Sequence, residues 1–212
     1  MRYVAAGIFF VLFSIFSVPA QARVAIGTNL TILIDFDQDH SESSIQEMNR
    51  EIEHLLRRTG VRLSIREKSA IKPYENFEDL VMVKLQGSCK IDGPSSSSGN
   101  RNTLGWSHVM SGEILPFGDV SCDNVRGAIQ GVLGGSEQKY KERMFGRALG
   151  RVVAHELYHI IGGVHTHGRK GIAQASLSGH ELITEEMELA AEDMERMVSR
   201  SPRIFASRRV SR

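Results

Sequence analysis

Residues 155–165 read HELYHIIGGVH. His155 and His159 are four residues apart, so on a helix their side chains leave the same face one turn apart. Two imidazoles at that spacing can reach one metal ion. Phe145, Ala148 and Val152 fall on the same side of such a helix, which makes this face otherwise apolar. Bare imidazoles there are costly without hydrogen bonds or a metal. Glu156 is offset from His155 by about a quarter turn. It can face the metal's open position without being a ligand, as a base acting on metal-bound water must.

Two histidines do not complete a hydrolytic zinc site, which takes three protein ligands and a water. Gly162-Gly163 permits the positive φ with which a helix stops and turns sharply. His165, six residues after His159, is then the expected third ligand, and His167 is the alternative. A carboxylate from a later helix, Glu181 or Glu185, is a further option, against which the glycine-histidine extension stands. His180-Glu181 repeats the first two letters of the motif, but Thr184 occupies the place of the second histidine, so it makes no second site. The extended pattern H-E-x-x-H-x-x-G-x-x-H is complete: His155, Glu156, His159, Gly162, His165.

These residues need a frame. Leu30 to Phe36 (LTILIDF) reads as a strand buried on both faces. Ser44 is the expected cap of a helix to about Thr59, with Glu47 as its capping-box partner. Ile45, Met48, Ile52, Leu55 and Leu56 share one face of it, and Gly60 ends it. Val61 to Arg66 alternates as a half-buried strand does. Strand-helix-strand implies parallel pairing through a right-handed crossover. Leu80 to Leu85, Thr103 to Met110 and Gly118 to Cys122 are the remaining expected strands, with a flexible loop at Pro94-SSSS-Gly99. Gly127 to Gly135 is glycine-rich and unassigned. A long helix is expected from about Glu137 to Ile161, a loop over Gly168 to Gly179, and a last helix over Ile183 to Ser199. On that helix Glu185, Glu186, Glu188, Glu192, Asp193 and Glu195 are expected to face mainly solvent.

The ends differ from the middle. Residues 1–22 have a basic start, an apolar run from Val4 to Phe16 and an Ala20-Gln21-Ala22 cleavage signal, the layout of a secretory signal peptide. The run is short for a membrane span. The mature chain would begin at Arg23, exported and without a stable membrane anchor. Arg2 is the one basic residue of that segment, so 25 of the 26 Lys and Arg side chains remain beside 25 Asp and Glu. That balance gives no support to a nucleic-acid partner. Hydrophobic residues at 41% and charged residues at 24% fit one globular domain, residues 23–200. Residues 201–212 are basic and read as a loose tail. Cys89 and Cys122 are the only cysteines; in an oxidising compartment they can form a disulfide, the alternative being two buried thiols.

The motif resembles the zinc signature of the metzincin metallopeptidases, the matrixin-type small secreted members above all. The resemblance implies an α+β fold with an α/β-like upper part: a twisted, mostly parallel sheet with an antiparallel edge strand, a long active-site helix and a short C-terminal helical subdomain. It implies one catalytic zinc ion, held by His155, His159 and His165, and Glu156 as general base. It also implies a peptide or protein substrate laid along Thr103 to Met110. The expected activity is that of a secreted zinc endopeptidase; the alternative is an inactive, zinc-stabilised binding domain of the same fold. One departure stands out. Ala173 or a neighbour occupies the turn where metzincins carry a methionine, and the next methionine, Met187, is expected in the last helix.

Overall fold

Alternating and β-branched stretches become the strands of one five-stranded sheet in the chain's computed structural model, which describes residues 29–94 and 103–206. The strands are β1 (Asn29–Phe36), β2 (Arg62–Glu67), β3 (Asp79–Gln86), β4 (Gly105–Met110) and β5 (Glu113–Ser121). Their order is β2-β1-β3-β5-β4. The pairs β1–β2, β1–β3 and β3–β5 are parallel, whereas β4 runs antiparallel to β5 and leaves its outer edge unpaired in the sheet. The fold class is the expected mixed one, a mostly parallel sheet with an antiparallel edge strand. Expected residues 1–22, the 201–212 tail beyond 206 and most of the serine loop lie outside the described residues.

Helix α1 (Glu42–Leu56) buries the predicted stripe, with Met48 and Ile52 inaccessible. Each such side chain stabilises the fold by about 1.5–3 kcal/mol relative to exposure. The helix starts earlier than expected. Ser41 is its N-cap residue. Ser44 is instead buried, its hydroxyl donating to the Glu142 carbonyl at 3.0 Å, and Glu47 pairs with Arg50 rather than closing a capping box. A 3-10 turn, Arg57–Thr59, follows, and Gly60 at φ 74° ends it as predicted.

The sequence from Cys122 hides a helix, α2 (Cys122–Gln130), capped by the Ser121 hydroxyl, which accepts from the Asn124 amide. Cys122 therefore opens a helix rather than ending a strand. Helix α3 (Gln138–Gly162) crosses beneath the sheet and packs closely on α1. Its glycines permit this: a Cβ on Gly146 would sit 2.2 Å from the Ser44 carbonyl oxygen, and one on Gly150 2.8 Å from that of Met48. Phe145, Ala148, Leu149 and Val153 of α3 are inaccessible members of the core.

The lower part departs most from expectation. A short helix α4 (Gly179–Ile183) begins at a Ser178–Glu181 capping box. The last helix, α5, spans Ala191–Ala206, eight residues later at its start than the polar pattern suggested. Met187 therefore precedes it. Arg151 of α3, with a wholly buried side chain, fixes the lower segment: it donates to Glu51 Oε1 at 2.7 Å, to the Glu181 carbonyl at 2.6 Å and to the Thr184 carbonyl at 2.7 Å. Among the described residues no helix is long and apolar enough to cross a membrane.

Cys89 and Cys122 form a disulfide, with Cα atoms 5.1 Å apart across a sequence separation of 33. It joins the segment after β3 to the start of α2. Closing a loop of that size is worth about 4 kcal/mol, chiefly through the unfolded state. The double variant Cys89→Ser/Cys122→Ser is expected to lose roughly that much stability in urea titration. A loss under about 1 kcal/mol would show that the bridge is energetically idle.

Candidate metal centre

Helix α3 presents His155 and His159 one turn apart, as their spacing requires. The His155 Nδ1 lies 2.8 Å from the Ile172 carbonyl, and the His159 Nδ1 lies 2.6 Å from the Val164 carbonyl. A carbonyl only accepts, so each Nδ1 carries the hydrogen and each neutral ring has its lone pair on Nε2. Burial keeps the rings neutral. It is the main force lowering His155 to about 4, outweighing the Ile172 hydrogen bond, and it also lowers His159. The two Nε2 atoms face each other at 3.1 Å. Two lone pairs at that distance repel unless a cation lies between them. Tetrahedral zinc with ~2.05 Å bonds separates its nitrogen ligands by about 3.3 Å. The pair therefore fits a metal ion by both chemistry and distance.

The histidine that joins this pair in the structure is His167, the alternative, rather than His165. His155, His159 and His167 bring one ring nitrogen each to within 4.8 Å of one another. The His165 Nε2 instead lies 3.0 Å from the Gly112 carbonyl, at the tip of the β4–β5 hairpin. Gly162 of the motif remains helical, and Gly163 adopts the left-handed conformation at φ 56° and ψ 34°. The turn at Gly163 directs the His165 ring to the Gly112 carbonyl and the His167 ring to the helical pair. This eight-residue spacing departs from the matrixin-type pattern.

The chain around His167 is held from below. Tyr158 Oη donates to the Thr166 carbonyl at 3.2 Å, and Gly168 N donates to the Ala173 carbonyl at 2.7 Å. Arg196 donates to both Tyr158 Oη and Asp193 Oδ1 at 2.8 Å. A Cβ on Gly168 would lie 2.2 Å from Asp193 Oδ2, so Asp193 presses directly on the loop. Asp193 was expected at the surface but is fully buried. Tyr158 is buried in the core and adds this hydrogen bond. Neither role has a local signal in the sequence.

The floor is the 3-10 turn Gly171–Ala173, where Ile172 and Ala173 are inaccessible. Ala173 stands where a methionine was expected, and the Ile172 carbonyl orients His155. Glu181 is engaged with Ser178 in the α4 cap, away from the histidines.

Glu156 is 4% exposed, and its Oε2 accepts from the Ser107 hydroxyl at 2.7 Å. Burial pushes its carboxyl up to about 7, with the nearby Asp119 carboxylate adding to the rise and the Ser107 bond opposing it. Asp119 itself accepts from Gln86 at 2.8 Å and pairs with His108. His108, exposed on the edge strand, is so engaged.

A raised carboxyl makes the folded chain bind a proton more tightly than the unfolded chain. Its stabilising contribution is present below about pH 4.5 and is lost as pH rises through about 7. Glu156→Gln removes that cost. The metal-free variant is expected to exceed the metal-free parent by up to about 3 kcal/mol at pH 8 and to match it below pH 4.5. Chemical denaturation at both pH values checks this; an equal gain at both would assign the effect to something other than ionisation.

The chain matches no protein-family model and no curated protein. The crystal structure of archaemetzincin from Methanopyrus kandleri is similar to it over 84% of this chain and 96% of that one, at 14% identity and a TM-score of 0.49. A likeness at that level carries nothing about activity, which the arrangement of the three histidines and Glu156 must support by itself.

Proposed function

We propose that this chain is an exported zinc-dependent endopeptidase. The observation that carries the reading is the pair of buried, neutral imidazoles whose Nε2 atoms face each other at 3.1 Å, with the Glu156 carboxyl buried on the next residue. His155, His159 and His167 would hold one zinc ion. Bound there, zinc would supply Lewis acidity, lowering the pKa of water and polarising a carbonyl. Glu156 does the proton work. Its Oε2 is committed to Ser107, so Oε1 takes a proton from the attacking water and returns it to the leaving amine.

A peptide substrate would bind by adding a strand to the free edge of β4, whose far end, Val109 and Met110, is exposed. Export rests on the leader-like first 22 residues, and the Cys89–Cys122 bridge suits an oxidising destination. The alternative of an inactive zinc-stabilised domain asks for a fourth protein ligand, as structural zinc sites have. With His165 turned to Gly112, the cluster among the described residues holds three histidines, which leaves a position open for water. The test is cleavage of a mixed peptide library by the zinc-loaded protein, with a chelator control. Chelator-sensitive cleavage is expected; cleavage indifferent to the chelator would remove the metal from the mechanism.

A further inference from the structure

The Glu156 side chain lies against the edge of the sheet, where two residues of β4 shape its place. Gly105 leaves room for it: a Cβ there would lie 3.0 Å from Glu156 Oε1. Ser107 pairs with Gly118 across the sheet, and its hydroxyl reaches Oε2 at 2.7 Å. The register breaks immediately beyond this pair. Ser107 is opposite Gly118, yet Val109 is opposite Ile114, so β5 carries extra residues around Pro116. A bulge of this kind kinks the strand and re-aims neighbouring side chains. Pro116 has no N–H to lose at such a place. The irregularity falls where the edge strand meets the carboxylate.

We propose that Ser107 is the positioning residue of Glu156, holding its carboxylate through Oε2 in one rotamer with Oε1 left for proton transfer. The proposal rests on the reading of Glu156 as the base. A glutamate has three rotatable side-chain bonds, and Gly105 makes room for the carboxylate without fixing its rotation. The Ser107 hydroxyl is the group that fixes it. Misplacement of a reacting group by about 1 Å costs as much as 10²-fold in rate.

The test compares Ser107→Ala, Ser107→Thr and Glu156→Ala with the parent, all zinc-loaded. For Ser107→Ala, kcat on a cleaved peptide is expected to fall about 10–100-fold while KM and zinc affinity stay within about twofold. Ser107→Thr, which keeps the hydroxyl, is expected to restore most of the loss. Parent-like kcat in Ser107→Ala beside a dead Glu156→Ala would overturn the positioning role and leave the peptidase reading standing. Cleavage that survives Glu156→Ala would sink that reading instead. Crystals of the zinc-loaded parent and Ser107→Ala judge Ser107 without any turnover. One Glu156 rotamer touching Ser107 in the parent and several in the variant are expected; the same single rotamer in both would overturn the proposal.

Discussion

His167→Ala is expected to weaken zinc binding by ~10²–10³-fold, while His165→Ala leaves the affinity within about twofold. The magnitude follows from apparent affinities of about 10–16 kcal/mol for four-ligand zinc sites, roughly 3–4 kcal/mol per ligand, at 1.4 kcal/mol per decade. The asymmetry follows from the turn at Gly163, which sends the His165 ring to the Gly112 carbonyl and the His167 ring to the pair on α3. Competition against a chromophoric chelator reads both numbers. The reverse result, metal lost with His165 and kept without His167, would mean that the loop rewinds on binding metal to the six-residue spacing of the motif.

Glu156→Ala is expected to lower kcat by ~10²–10⁴-fold with zinc still bound, the range general-base catalysis contributes. The carboxyl is not among the clustered ligands, so its loss should spare the metal. Its burial and raised proton affinity mark a group kept at a cost to the fold, as residues serving a reaction often are. Turnover that persists in a zinc-loaded Glu156→Ala preparation would remove the base from the mechanism. The same position thus carries two opposite expectations, a loss of rate on truncation and a gain of metal-free stability as glutamine.

The parts of the fold legible in the sequence are those with a period. The apolar run of β1, the stripe Ile45-Met48-Ile52 on α1 and the alternation of β2 each follow from a burial pattern; the structure has both strands within a residue and the stripe buried, although α1 itself starts three residues earlier. Local capping chemistry misled: Ser44 suits a helix start, but its hydroxyl is engaged by the Glu142 carbonyl, distant in sequence, and the helix begins after Ser41. Helix α2 has nine residues with Gly127 among them, too short and too glycine-broken for a period to show. The stretch between α4 and α5 is rich in helix-forming glutamates yet is not helical. Its backbone serves other elements: Arg147 and Arg151 take the carbonyls of Ile183 and Thr184, and the Ile172 amide takes that of Glu188. Such pairings are invisible to local propensity.

The site was legible to the same depth. His155, Glu156 and His159 depend only on helical geometry, so spacing was sufficient for them. The third histidine depends on which of two adjacent glycines turns the chain, a choice made by packing. A Cβ on Gly162 would come within 3.3 Å of the Met197 backbone on α5, so helix α5 closes against that residue while it is still helical.

Arg151 has a mechanical consequence. It sits one helical turn before His155 and ties α1, through Glu51, to the carbonyls that end α4. Helix α1 and the lower segment are thus fastened at a shared pivot, by a buried cation whose release would strand its charge. Pulling the lower segment away from α1 would have to break these bonds together, so the two are expected to move as one piece.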